Sequence, residues 1–100
     1  LPVDLEDENP VKPAQFSLSQ NYPNPFNPNT VISYKLKVKS DVKLFIYDAL
    51  GRVIKVLAKG SQAVGSYHVN YDATGLATGI YYYRLHAGNF VQTKKMLLLR

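Results

Sequence analysis

From residue 16 onward the chain breaks into seven short runs of strand-forming residues separated by turn formers, and no window of eleven or more residues carries a clean helical period. The runs are FSLS (16–19), TVISYKLKV (30–38), DVKLFIYD (41–48), RVIKVLA (52–58), SYHVNY (66–71), GIYYYRLHA (79–87) and FVQTKKMLLL (90–99). Runs this short bury only one face each, which predicts an all-β, immunoglobulin-like antiparallel sandwich of about seven strands. Alternation says which face is inside. Ile32, Tyr34, Leu36 and Val38 share one side of their strand, with Ser33, Lys35, Lys37 and Lys39 on the other. In the next strand Val42, Leu44 and Ile46 point inward, opposite Lys43, Phe45 and Tyr47.

Two tight turns are legible from their residue types. Asp48-Ala-Leu-Gly51 and Ala87-Gly-Asn89 carry the Asp, Asn and Gly that hairpins require where φ is positive. The segment NYPNPFNPNT (21–30) is different: Pro23, Pro25 and Pro28 cannot donate ladder hydrogen bonds, so it cannot be a central strand. Asn21, Asn24, Asn27 and Asn29 can satisfy nearby backbone N–H groups through their side-chain carbonyls, and Tyr22 and Phe26 can pin the segment to the sandwich. This predicts an ordered loop between the first two strands, with a flexible proline-rich segment as the alternative. Gly79-Ile80-Tyr81 resembles the tyrosine corner of immunoglobulin-like sandwiches, in which the phenol bonds back to the preceding loop.

Composition bounds the chemistry. With 100 residues the chain is one domain, and without cysteine it has neither disulfides nor a thiolate site, so packing alone must hold it. Residues 1–15, LPVDLEDENPVKPAQ, lack either periodicity and read as an acidic, proline-rich linker, which sets the domain boundary at Phe16 and the domain at 16–100. Asp4, Glu6, Asp7 and Glu8 give the first ten residues a charge of −4, leaving +9 on the rest of a chain whose total is +5. The first residue is Leu1 rather than methionine, which suggests a segment of a longer protein. The apolar run Met96–Leu99 is far short of the roughly 18 residues that span a bilayer, so no transmembrane span is expected.

Candidate sites are few. His68 and His86 both fall inside predicted strands, neither is spaced from a serine or carboxylate in a nucleophile motif, and no G-x-S-x-G occurs, so no catalytic residue is expected. The acidic cluster offers oxygen donors suited to calcium but lacks calcium-loop spacing, and it reads as solvated linker; no metal or cofactor is expected. Tyr81-Tyr82-Tyr83 invites a stacking role, but alternation puts Tyr82 on the opposite face from the other two. Lys35, Lys37, Lys39 and Lys43, with Lys94, Lys95 and Arg100, read as a solvated basic surface that also protects a strand edge; no nucleic-acid partner is expected.

Taken in order, FSLSQNYPNPFNPNTVISYKL, VKLFIYDALGRVIKVL, GSYHVNYDATGLATGIYYYRL and TKKMLLLR closely resemble the type A C-terminal sorting domain of the bacterial type IX secretion system. The resemblance covers residues 16–100 and rests on QNYPNPFNP, IYDALGR and the G-x-Y-x-Y-R-L run in the expected order, followed by KKMLLLR. Departures are Tyr71 where tryptophan is common, Thr78 where serine is usual, and Lys37 where proline is frequent. The family signature falls on Asn21, Pro23, Pro25, Phe26, Asn27 and Pro28, on Tyr47, Asp48, Gly51 and Arg52, on Gly79 and Tyr81, and finally on Lys94 to Arg100, mostly with structural roles. The resemblance implies a non-catalytic address. The cargo would pass through the periplasm, be recognised by the outer-membrane translocon, and be cut in the linker by a sortase-type surface protease before release or attachment at the cell surface.

Translocon recognition is expected at Lys94, Lys95, Met96, Leu97, Leu98, Leu99 and Arg100, where exposed charge joins an apolar strand able to augment a partner's sheet. The same open strand would permit a homodimer through the final strand. The alternative from another class is an immunoglobulin-like or Fn3-like accessory module for carbohydrate binding or adhesion. A calcium-stabilised sandwich is a third reading.

Overall fold

The computed structural model describes residues 14–100, so the linker expected over 1–15 lies almost wholly outside the described residues. Seven strands form: β1 (Ser17–Leu18), β2 (Asn29–Leu36), β3 (Ser40–Tyr47), β4 (Val53–Gln62), β5 (Gly65–Asp72), β6 (Gly79–Ala87) and β7 (Phe90–Leu98). All pairings between them are antiparallel, in a three-stranded sheet ordered β1-β2-β5 and a four-stranded sheet ordered β4-β3-β6-β7. The described residues contain no helix, and the sandwich is the all-β fold that the alternation dictates.

The core is the inward set of each strand. Ile32, Tyr34 and Leu36 from β2 meet Val42, Leu44 and Ile46 from β3, with Tyr83 and Leu85 from β6 and Met96 and Leu98 from β7. Each such side chain gains roughly 1.5–3 kcal/mol from burial, which is what drives the two sheets together. Burying tyrosines requires partners for their hydroxyls. Tyr34 Oη donates to Gln62 Oε1 at 2.6 Å, Tyr83 Oη to the Ser19 carbonyl at 2.6 Å and Tyr81 Oη to the Ala77 carbonyl at 2.7 Å. The last is the corner bond that Gly79-Ile80-Tyr81 suggests. Tyr67 repeats it on β5, donating to the Ala63 carbonyl at 2.6 Å.

Two boundaries differ from the sequence reading. β2 ends at Leu36, so Val38, expected inward, lies in the β2–β3 turn and is 53% exposed. β4 runs on to Gln62 rather than ending at Ala58, because β3 supplies a ladder for it: Val42 pairs Gly60, Asp41 pairs Ser61 and Ser40 pairs Gln62. A partner strand overrides the weak strand preference of Gly60 and Ser61. The turn after β3 is set by Asp48, whose Oδ1 accepts from the Leu50 and Arg52 amides, both at 2.9 Å, while Oδ2 accepts from Arg52 Nε at 2.7 Å. Gly51 takes φ +85°, the left-handed region that its lack of a Cβ permits.

Candidate recognition site at the C-terminal strand

β7 is an edge of the four-stranded sheet, bonded to β6 on one side only. In an antiparallel ladder alternate residues turn their backbone groups outward, and on β7 Leu97 is one of these. Its outward groups are taken by the asparagine-proline segment. The Leu97 N–H donates to Asn24 Oδ1 at 3.0 Å, the Phe26 N–H donates to the Leu97 carbonyl at 3.0 Å, and the Leu99 N–H donates to the Phe26 carbonyl at 3.0 Å. Phe26 thereby forms a parallel bridge with Leu98, and Gln20 Nε2 adds a bond to the Lys95 carbonyl at 2.8 Å.

Side chains lock this clamp from below. The Phe26 ring is 2% exposed and lies against Tyr71, with centroids 6.5 Å apart. Asn21 is also buried; its Nδ2 donates to Thr30 Oγ1 at 3.0 Å and to the Pro23 carbonyl at 3.2 Å, and Thr30 Oγ1 donates to the same carbonyl at 2.9 Å. The peptide bonds before Pro23, Pro25 and Pro28 are cis. The segment is an ordered loop, but its asparagines work differently from the local pattern expected. Asn24 accepts from the far end of the chain, Asn21 donates, and Asn27 and Asn29 make no side-chain bond among the described residues. Tyr22, expected to pin the loop alongside Phe26, is 80% exposed and contributes backbone only, pairing with Val31 at 3.0 and 2.9 Å.

The tail is held too. The Arg100 N–H donates to Thr78 Oγ1 at 2.8 Å and Arg100 Nη1 to the Leu76 carbonyl at 2.9 Å. The hydroxyl of Thr78 thus does what the usual serine could do. Burial around this cluster shows in Tyr83, whose phenol is pushed up to about 12 by desolvation, a backbone hydrogen bond from Asn21 acting the other way. Burial likewise raises Tyr71, helped by the neighbouring Tyr81 and Asp72.

The residues expected to carry recognition therefore divide. Met96 and Leu98 are buried core, Leu97 and Lys94 are half-buried, and Lys95, Leu99 and Arg100 are exposed. Lys94 and Lys95 do not form one charged surface: Lys94 pairs with Tyr83 on the inward face and Lys95 with Tyr82 on the outward face. The edge open for strand addition is also shorter than the sequence suggests, since the Phe26 segment covers its last residues. What joining motifs in sequence could not show is that the two extreme signature segments are one unit. Tyr47, Asp48, Gly51 and Arg52 lie apart from that unit, in the β3–β4 turn already described.

One pairing was invisible in the spacing. Ser33 Oγ and His68 Nδ1 are 2.7 Å apart across the β2–β5 register. The pair sits on a flat exposed strand face, and no carboxylate orients the imidazole among the described residues, so it lacks the third member that nucleophilic catalysis uses. No cluster of metal-ligating side chains occurs among the described residues.

The family model for the secretion system C-terminal sorting domain matches residues 20–99. The chain belongs to that family. Membership makes the domain a sorting signal of the type IX secretion system, which implies passage to the cell surface or the extracellular space. A search of curated proteins finds no match. Among solved structures the chain is similar to PorZ of Porphyromonas gingivalis, described as an essential bacterial surface component of the type IX secretion system. The superposition has a TM-score of 0.53 at 17% identity and covers 85% of this chain and 11% of that one. At that identity the likeness concerns the fold, and this chain spans about a tenth of the length of PorZ.

Proposed function

We propose that the domain carries an upstream cargo protein through the periplasm to the outer-membrane translocon, which docks on the clamp formed by the end of β7 and the asparagine-proline loop. The observation that supports this reading is the hydrogen-bonded union of segments some 70 residues apart, Asn24 and Phe26 with Leu97 and Leu99. A translocon reading this composite surface would accept the folded domain and reject a bare C-terminal peptide. Within it, Lys95, Leu99 and Arg100 are the exposed residues of the C-terminal strand and tail that a partner can touch, while Met96 and Leu98 hold the strand in place. After translocation, a sortase-type protease would cut in the linker ahead of residue 16, and the cargo would be released or attached at the surface. The exposed backbone of β7 ahead of the clamp is where a second copy could pair.

The test is export of a reporter fusion carrying Lys95→Glu with Leu99→Glu, both outward substitutions that leave the core intact. Loss of export with unchanged circular dichroism and melting supports docking at the clamp. Wild-type export by this double variant contradicts it.

A further inference from the structure

The outer face of the four-stranded sheet meets the clamp only at Lys95, and its register brings aromatic and cationic side chains into rows. Tyr47 of β3 is paired with Tyr82 of β6, and Phe45 with Arg84. On the next row Lys43 is flanked by Lys59 of β4 and His86 of β6, and Lys95 of β7 stands beside Tyr82. The rings are half-buried and held in place. Phe45 and Tyr47 meet at 6.4 Å between centroids, and the Arg84 guanidinium lies 5.1 Å from the centre of the Tyr47 ring. Arg84 Nε donates to Thr93 Oγ1 at 2.8 Å, which fixes the side chain and leaves the two Nη groups unbonded within the described residues.

Between these groups is an open depression of about 330 Å³ lined by Tyr47, Gly51, Tyr82, Arg84 and Thr93. Its polar lining is hydroxyl-rich: neither the Tyr47 nor the Tyr82 phenol has a hydrogen-bond partner among the described residues. Charge is one-sided. Lys43, Lys59, Arg84 and Lys95 share the face, against Asp41 at one corner. The ion pair present among the described residues, Asp48 with Arg52, belongs to the turn and neutralises none of them.

We propose that this face binds an acidic saccharide, with the Tyr47 and Tyr82 rings against the sugar, the Arg84 Nη groups on its carboxylate, and the lysines attracting the rest of the chain. Aromatic faces match the C–H face of a pyranose, and a fixed guanidinium offers the fork geometry that recognises a carboxylate. Free phenols and the Thr93 hydroxyl suit a ligand made of hydroxyls, whereas a nucleic acid would place phosphates along the lysine row and need no hydroxyl partners in the depression. This site adjoins the clamp at Lys95 alone, and its centre at Tyr47, Tyr82 and Arg84 would act whether or not sorting proceeds as proposed.

Isothermal titration of the 100-residue chain with a tetrasaccharide of galacturonic acid tests it, beside its methyl ester and an oligothymidylate of equal charge. Tyr82→Ala and Arg84→Gln should each weaken binding of the acidic tetrasaccharide by about tenfold or more. Lys35→Gln with Lys37→Gln, which removes charge from the other sheet, should leave it unchanged, and the ester should bind more weakly than the acid. Absence of binding, equal loss in the Lys35/Lys37 variant, or tighter binding of the oligothymidylate would each overturn the proposal. Melting curves of every variant establish that the fold is retained.

Discussion

Phe26→Ala removes the one buried aromatic side chain by which the asparagine-proline loop is anchored. The ring is 2% exposed and packs against Tyr71, so the loop cannot close over the gap without breaking its three hydrogen bonds with Leu97 and Leu99, two between backbone groups and one through the Asn24 side chain. Truncating a buried Phe costs about 3–5 kcal/mol. A domain of this size has about 5–10 kcal/mol in all, so the substitution removes a large part of it while leaving most of the sheet sequence untouched. In a urea titration followed by circular dichroism, a loss of about 4 kcal/mol lowers the midpoint by roughly 2 M or more, with the slope unchanged. Amide exchange under native conditions adds the spatial readout: Leu97 and Leu99 should lose protection beyond the global change. A midpoint within about 0.5 M of wild type, or protection at Leu97 and Leu99 equal to that of the core strands, would refute the anchoring role.

Other consequences follow from the buried phenol and the turn. Tyr83 is pushed from 10.0 to about 12, so folding favours its protonated form; the stabilisation is complete below pH 10 and is lost as pH rises towards 12. Tyr83→Phe should flatten the alkaline limb of the stability curve over this window. Asp48 is held below its ordinary 3.8, first by the Arg52 amide, so its contribution is present above pH 4 and falls as pH drops through the depressed value. Asp48→Asn should therefore melt below wild type at neutral pH and converge with it in acid, read by melting temperature across pH 2–7. Gly51→Ala should cost about 1 kcal/mol, because φ +85° is strained for a residue with a Cβ although the space is open; an unchanged urea midpoint would count against that.

Much of the fold was legible because each strand buries one face. Ile32, Tyr34 and Leu36, or Val42, Leu44 and Ile46, announce their burial by period two, and Asp48 with Gly51 announces its turn. What was not legible depends on partners. Val38 continues the alternation of β2 but has no strand opposite it, and Gly60 and Ser61 are strand only because β3 extends alongside. The clamp is the extreme case: the side-chain carbonyl of Asn24 is satisfied by an amide 73 residues away. Local chemistry predicts that an asparagine will accept a bond, and only the closed sandwich determines from whom. Lys94 and Lys95 are the opposite case, since period two within the run 90–99 by itself places the two charges on opposite faces.

The central claim is that this domain is an export address read as a folded unit, and secretion of a reporter tests it most directly. A periplasm-targeted fluorescent protein fused ahead of residues 1–100 would be expressed in a type IX-competent host and in a translocon-null strain, with and without the final five residues, and reporter outside the cell quantified. The account predicts extracellular reporter for the intact fusion in the competent host alone. Equal retention of the intact fusion in both hosts, with the domain folded, would contradict it.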